Sequence, residues 1–164
     1  MLENLKDFVI IKLARELVAQ GHRGAGRLIE SMRGVITTIP NGMEITIFAA
    51  DYSKFVDEGV SANRIPFRGR TGRGGVSQYI QALIAFFRLK GSPDPKAAAF
   101  ATANTHRKEG MPTRASFKFS RTGKRTGFIE ETLDKHGQSI DDQLEEAGFS
   151  VLNSQIDKAL VNLR

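Results

Sequence analysis

Three observations predict an α+β fold, with a small antiparallel sheet packed with several helices and a long basic loop insertion. Apolar residues recur every three or four positions near both ends of the chain, two β-branched runs meet across Asn-Gly, and a glycine-loosened basic stretch interrupts the middle. With 164 residues, 40% of them hydrophobic, the chain can support one domain. Its core is expected at 1–59 and 126–164, with the basic insertion and two helices at 60–125.

Leu2, Leu5, Val9, Leu13 and Leu17 share one face of a first helix over 2–19, which Phe8, Ile10 and Ile11 broaden and Gly21 stops. Arg27–Met32 has room for one or two further helical turns. The period then changes. Arg33–Ile39 and Met43–Phe48 flank Pro40–Gly42, and Asn-Gly between such runs signals a hairpin. Met43, Ile45 and Ile47 alternate with Glu44, Thr46 and Phe48, as in a strand with one buried face.

Ala49–Gly59 reads as a short helix, with Tyr52, Phe55 and Val56 on one side seating it on the sheet and Gly59 closing it. Val76–Leu89 reads as a helix with a core stripe of Val76, Tyr79, Ile80, Leu83, Phe86 and Phe87. Alanine-rich Lys96–Lys108 predicts another, ending at Gly110 before Pro112. Arg114–Arg125 is basic and loop-like, though Ala115–Ser120 could form a short strand. From Phe128 the chain reads as largely helical with a break at Gly148. Its expected buried positions are Phe128, Ile129, Leu133, Ile140, Leu144, Leu152, Ile156 and Leu160.

The absence of cysteine excludes disulfides and thiolate metal sites. The apolar run at the N-terminus is interrupted by charges and lacks the form of a signal peptide. No apolar run approaches a bilayer span, so a soluble protein made in the cytoplasm is expected, without a membrane role. The net charge of +6 conceals a division. Residues 60–125 carry 14 Lys/Arg against two acids, whereas residues 126–164 carry three against eight.

No residue pattern supports catalysis or a cofactor. His22, His106 and His136 are scattered and read as plain surface histidines. Asp57 and Glu58 are adjacent, so on a helix they diverge by about 100° and do not converge on one substrate atom. No nucleophile elbow or Walker loop is present.

The charged segments carry more information. The stretch RIPFRGRTGRGG (64–75) presents Arg64, Arg68, Arg70 and Arg73, and a second segment presents Arg114, Lys118, Arg121, Lys124 and Arg125. Each cation can neutralise phosphate, and Phe67, Phe117 and Phe119 beside them allow base stacking. A solvated loop, an arm that orders on a protein partner, and a nucleic-acid contact all remain open on this composition. Asp141, Asp142, Glu145 and Glu146 lie at i, i+4 spacing, where like charges repel unless something basic meets them.

One ordered set of short motifs bears on that choice. An amphipathic helix leads to Gly26-x-Leu28-x-x-Ser31, then a two-stranded stretch at 33–48. Next come Tyr52, Phe55, Val56, Asp57 and Gly59, and then Pro66-Phe67. In this order the segment 26–67, with the terminal FIEETL and charged helix, resembles the tail-completion or head–tail joining (neck) proteins of tailed bacteriophages. The chain departs from that pattern at 68–110, where it is longer. The resemblance implies a non-enzymatic virion protein forming a homo-oligomeric ring at the head–tail junction, with portal, adaptor or tail proteins as partners. Acidic 130–146 of one subunit would then face basic 64–73 or 114–125 of the next. Alternatively, the arginines would line a channel and contact packaged DNA non-specifically. The rival reading is a small basic nucleic-acid-binding protein that uses both arginine/glycine loops.

Overall fold

The computed structural model describes residues 1–22, 26–40, 42–69 and 76–161, with side chains as far as residue 153. The fold is α+β. In chain order its elements are α1 (Leu2–Ala19), α2 (Arg27–Ser31), β1 (Arg33–Ile39), β2 (Gly42–Phe48), α3 (Ser53–Glu58), α4 (Gln78–Leu89), α5 (Pro95–Glu109) and α6 (Phe128–Val161). Short 3-10 turns occupy Ala62–Arg64 and Arg114–Phe119. The second of these stands where the sequence leaves a short strand open, at 115–120. The chain divides into two compact units, Met1–Ser53 with Gly127–Arg164, and Lys54–Thr126.

In the first unit, α1 buries Leu5, Leu13 and Leu17 as the leucine spacing predicts. Each such side chain contributes about 1.5–3 kcal/mol on leaving water. Glu16 of α1 and Gln20, which caps its C-terminus, are also buried, and α1 packs against α6 and the hairpin. Gly26 takes a left-handed conformation, φ 67°, at the start of α2. Leu28 is buried, and Ser31 Oγ donates to the Leu28 carbonyl at 2.7 Å while accepting from the Ala50 amide at 3.0 Å. The Gly-x-Leu-x-x-Ser segment is therefore a turn, an anchor and a staple to the end of β2.

β1 and β2 pair antiparallel from Arg33↔Phe48 to Ile39↔Gly42. Ile36, Ile45 and Ile47 are half-buried, whereas Val35, Ile39, Met43 and Phe48 are exposed. A Cβ at Gly34 would run into the aliphatic stem of Lys6 and come within 3.1 Å of Ile47 Cδ1, so glycine lets the hairpin approach α1 closely.

α6 departs from expectation twice. It runs unbroken through Gly148, since one glycine costs a helix only about 1 kcal/mol. Among its described side chains Phe128, Thr132 and Ala147 are buried and Ile140 is half-buried, while Ile129, Leu133, Leu144 and Leu152 are exposed. Thr132 can be buried because its hydroxyl is satisfied. Thr132 Oγ1 donates to the Phe128 carbonyl at 2.7 Å. Lys135, next to this face, donates to Glu16 Oε2 at 2.8 Å, and His136 meets the Phe8 ring edge-on. The side chains of Ile156 and Leu160 lie outside the described residues.

In the second unit, Ser77 and Asp94 cap α4 and α5 by accepting from the amides of Ile80 and Ala97. The core comprises Ile65, Phe67, Ile80 and Ala103, with Val76, Tyr79, Leu83, Ile84 and Phe100 packed around it. Ala99 and Ala103 are fully buried, whereas Ala97 and Ala101 on the same helix are exposed. Phe86, placed in the core stripe by the sequence, is exposed, and Ile84 takes part instead. Tyr52 and Phe55 are also exposed, which corrects the expectation that they seat α3; Val56 is half-buried.

The beginning and end of this unit are tied by an antiparallel bridge. Val60 N–H donates to Met111 O at 2.7 Å, and Met111 N–H to Val60 O at 2.8 Å. Gly59, φ 77°, and Gly110, φ 81°, precede the two bridge residues. Gly59→Ala would combine the left-handed backbone with a Cβ 2.7 Å from the Met111 carbonyl oxygen. At Gly91, φ 68°, the added methyl meets nothing within 4 Å. Denaturant titration should show a loss of about 1 kcal/mol for Gly91→Ala and about 2 kcal/mol or more for Gly59→Ala.

Candidate assembly surfaces

The start of the arginine tract is fastened to the second unit by its apolar residues. Ile65 and Phe67 are buried, while Arg64, Pro66 and Arg68 between and beside them are exposed. Phe67 lies 6.1 Å from Phe100 between ring centroids. It is a core residue, which corrects its assignment to base stacking. Arg107 Nη1 donates to the Arg68 carbonyl at 3.3 Å, and Gly69, φ 79°, leaves room for that guanidinium. Arg107 thus joins the basic surface from α5, 39 residues from Arg68. The sequence reading missed it because no local pattern links the two. Arg70 and Arg73, with Gly72, Gly74 and Gly75, lie outside the described residues.

The second basic segment is held by its own polar groups. The Arg114 amide donates to Glu109 Oε2 at 2.9 Å, and Ser116 Oγ to the Thr113 carbonyl at 2.6 Å. Ser120 Oγ donates to the Lys124 carbonyl at 2.5 Å while accepting from the Thr122 amide, and Thr122 Oγ1 accepts from the Lys124 amide. This scaffold leaves Arg114, Lys118, Arg121 and Lys124 exposed. Phe117 and Phe119 are exposed beside them, with Lys118 Nζ 5.1 Å from the Phe119 centroid. Arg125 does not join this display. It is half-buried, and burial pulls its guanidinium below the ordinary value.

On α6, Asp141, Asp142, Glu145 and Glu146 are exposed, and Gln138 Nε2 donates to Asp142 Oδ1 at 2.9 Å. The charge division follows the structural one. Residues 54–126 hold 15 Lys/Arg against four Asp/Glu, a net of +11, and the remaining residues hold nine against 14, a net of −5. Of the adjacent carboxylates on α3, Glu58 pairs with Lys54 at 3.7 Å, and Asp57 is half-buried. Among the described residues, no three His, Asp or Glu side chains gather as a metal site, and no helix is long and apolar enough to cross a membrane.

The three histidines are half-buried, which corrects their reading as surface residues. Burial and the neighbouring Lys12 and Lys135 lower the pKa of His136. His106 Nδ1 lies 2.6 Å from the Tyr79 hydroxyl, and this contact links α4 to α5. Burial lowers the pKa of His106, partly opposed by Glu109, and burial raises that of Tyr79. The folded state therefore favours both groups neutral. The His106 contribution is full above its ordinary 6.5 and is lost as pH falls below it toward the depressed folded value. The Tyr79 contribution is full below its ordinary 10.0 and is lost as pH rises through the raised folded value. Thermal unfolding across pH should show a plateau between these limits. Its acid edge should flatten in His106→Gln, and Tyr79→Phe should cost about 1 kcal/mol.

Comparison with protein families, curated proteins and solved structures gives no match to this chain.

Proposed function

We propose that this chain is a non-enzymatic structural protein of a tailed-phage virion, forming a homo-oligomeric ring at the head–tail junction that joins portal or adaptor to tail. The observation that carries this reading is the opposition of charge between two units of one chain, +11 against −5. Exposed cations of the one unit, Arg114, Lys118 and Arg121 among them, can meet the exposed carboxylates of α6 on another copy. A surface pair of this kind generates repeated head-to-tail contacts, which close into a ring when the rotation allows. The ordered motif resemblance gives that ring its place in the particle. Local structure accounts for several of the motif residues: Gly26, Leu28 and Ser31 form a stapled turn, and Gly59 precedes the bridge to Met111.

The rival nucleic-acid reading draws on Phe117 and Phe119, which are exposed beside Lys118. Against it stand the burial of Phe67 and an acidic face that repels phosphate. Purified tailed particles should contain the chain at the neck, by mass spectrometry and gold labelling, and particles made without it should be filled heads lacking tails. The triple variant Arg68→Ser, Arg70→Ser and Arg73→Ser should fold normally and fail to join heads to tails. Normal joining without the chain, or normal joining by this variant, would overturn the proposal. Tight uptake of duplex DNA, with a log–log salt slope of about −0.9 per phosphate contact, would favour the rival.

A further inference from the structure

The exposed side of α6 over 141–152 carries both large apolar and acidic side chains. Asp141, Leu144, Glu145, Gly148, Phe149 and Leu152 follow the spacing i, i+3, i+4, i+7, i+8 and i+11, which sets them on one helix face. Leu144 is 42% exposed, Phe149 65% and Leu152 55%. Ala147, about 130° around the helix from the centre of that face, is buried within the unit. A methyl added at Gly148 would meet nothing within 4 Å, so the centre of the face is open to close approach. α1 has 18 residues and α6 has 34, about 27 Å against about 51 Å, so α1 cannot cover the length of α6.

Building on the ring reading, we infer that this face docks on the Arg114–Arg121 turn of a second copy. The two surfaces match in both kinds of chemistry. Phe117 and Phe119 offer exposed apolar area to Leu144, Phe149 and Leu152, while Lys118 and Arg121 are the counter-charges for Asp141 and Glu145. The hydrogen bonds that hold the turn in place reduce the ordering cost of docking. Pairing of α6 with α6 about a two-fold axis is disfavoured, because it brings Asp141, Asp142, Glu145 and Glu146 of one copy against the same carboxylates of the other. The contact is therefore heterologous, acidic face to basic turn, and each copy has one of each.

Two variants test this by light scattering. Leu144→Asp with Phe149→Asp spoils the helix face, and Phe117→Asp with Phe119→Asp spoils the turn. Wild-type protein should form a multi-subunit species that shrinks as salt rises. Each variant alone should run at the monomer mass of 18.1 kDa with an unchanged far-UV circular dichroism spectrum. Their equimolar mixture should form a dimer of about twice that mass and grow no further, because only one intact helix face and one intact turn remain per pair. A milder variant, Asp141→Asn with Glu145→Gln, should assemble at higher concentration than wild type and with a shallower salt dependence. A mixture that stays monomeric, variants that assemble as wild type does, or a salt dependence unmoved by the milder variant would overturn the inference. Wild-type assembly through another face would overturn it while leaving the ring reading intact. A wild type that is monomeric at every salt would also overturn it, with the ring reading then decided by the particle experiment.

Discussion

A carboxylate inside a helix interface must be met by donors, and Glu16 is met from two sides. It is 7% exposed, accepts from Gln20 Nε2 at 3.2 Å on its own helix, and accepts from Lys135 Nζ at 2.8 Å on α6. Lys135 also lies 3.5 Å from Glu131, and the two carboxylates raise its pKa, with the Glu16 hydrogen bond the largest cause. Removing the lysine would leave a desolvated charge with only an amide donor, a loss in the range of 1–3 kcal/mol or more. The pair also fixes register. Sliding α6 by one turn, about 5.4 Å, would break it. Its partners are 119 residues apart in sequence, so this contact holds the returning C-terminal helix in the first unit.

That polar constraint explains which face of α6 is buried. A helix chosen only for apolar burial would turn Ile129, Leu133, Leu144 and Leu152 inward. The lysine that reaches Glu16 and the histidine that meets Phe8 instead select the side carrying Phe128, Thr132 and Ala147. Leu133, Leu144 and Leu152 stay 42–55% exposed, so the monomer realises only about half of the 1.5–3 kcal/mol that full burial of each supplies. The remainder is available to association.

Much of the local architecture was legible in the sequence because it depends on near neighbours. The leucine spacing gives α1, Pro-Asn-Gly gives the hairpin, and alanine-rich Lys96–Lys108 gives the body of α5. The features that were not legible depend on distant groups. Phe67 sits among arginines and glycines, yet its burial is decided by Phe100. His106 looks isolated until α4 brings Tyr79 to it. Arg107 belongs to the basic surface only because the tract passes beneath its guanidinium. Gly148 would stop a helix standing alone, but within a 34-residue helix its cost is small against what the flanking turns supply. Of the candidate site, the charge signs could be read directly, whereas the separation of display residues from core residues could not.

The two basic segments differ in how they would meet a partner. In the second, serine and threonine hydroxyls occupy the loop's own amides and carbonyls, and Lys118 already leans over Phe119. Its cations are thus presented from a fixed turn, and such a surface recognises a partner by shape as well as charge. A DNA backbone asks for charge alone, whereas a helix face with leucine, phenylalanine and carboxylates at fixed spacing asks for both. The loop's internal bonding therefore suits a partner read by shape more than a bare phosphate chain, while its exposed aromatic residues suit an apolar protein face as well as a stacked base. By the same reasoning the contact should lose strength with salt without vanishing, since burial of its apolar part does not depend on screening.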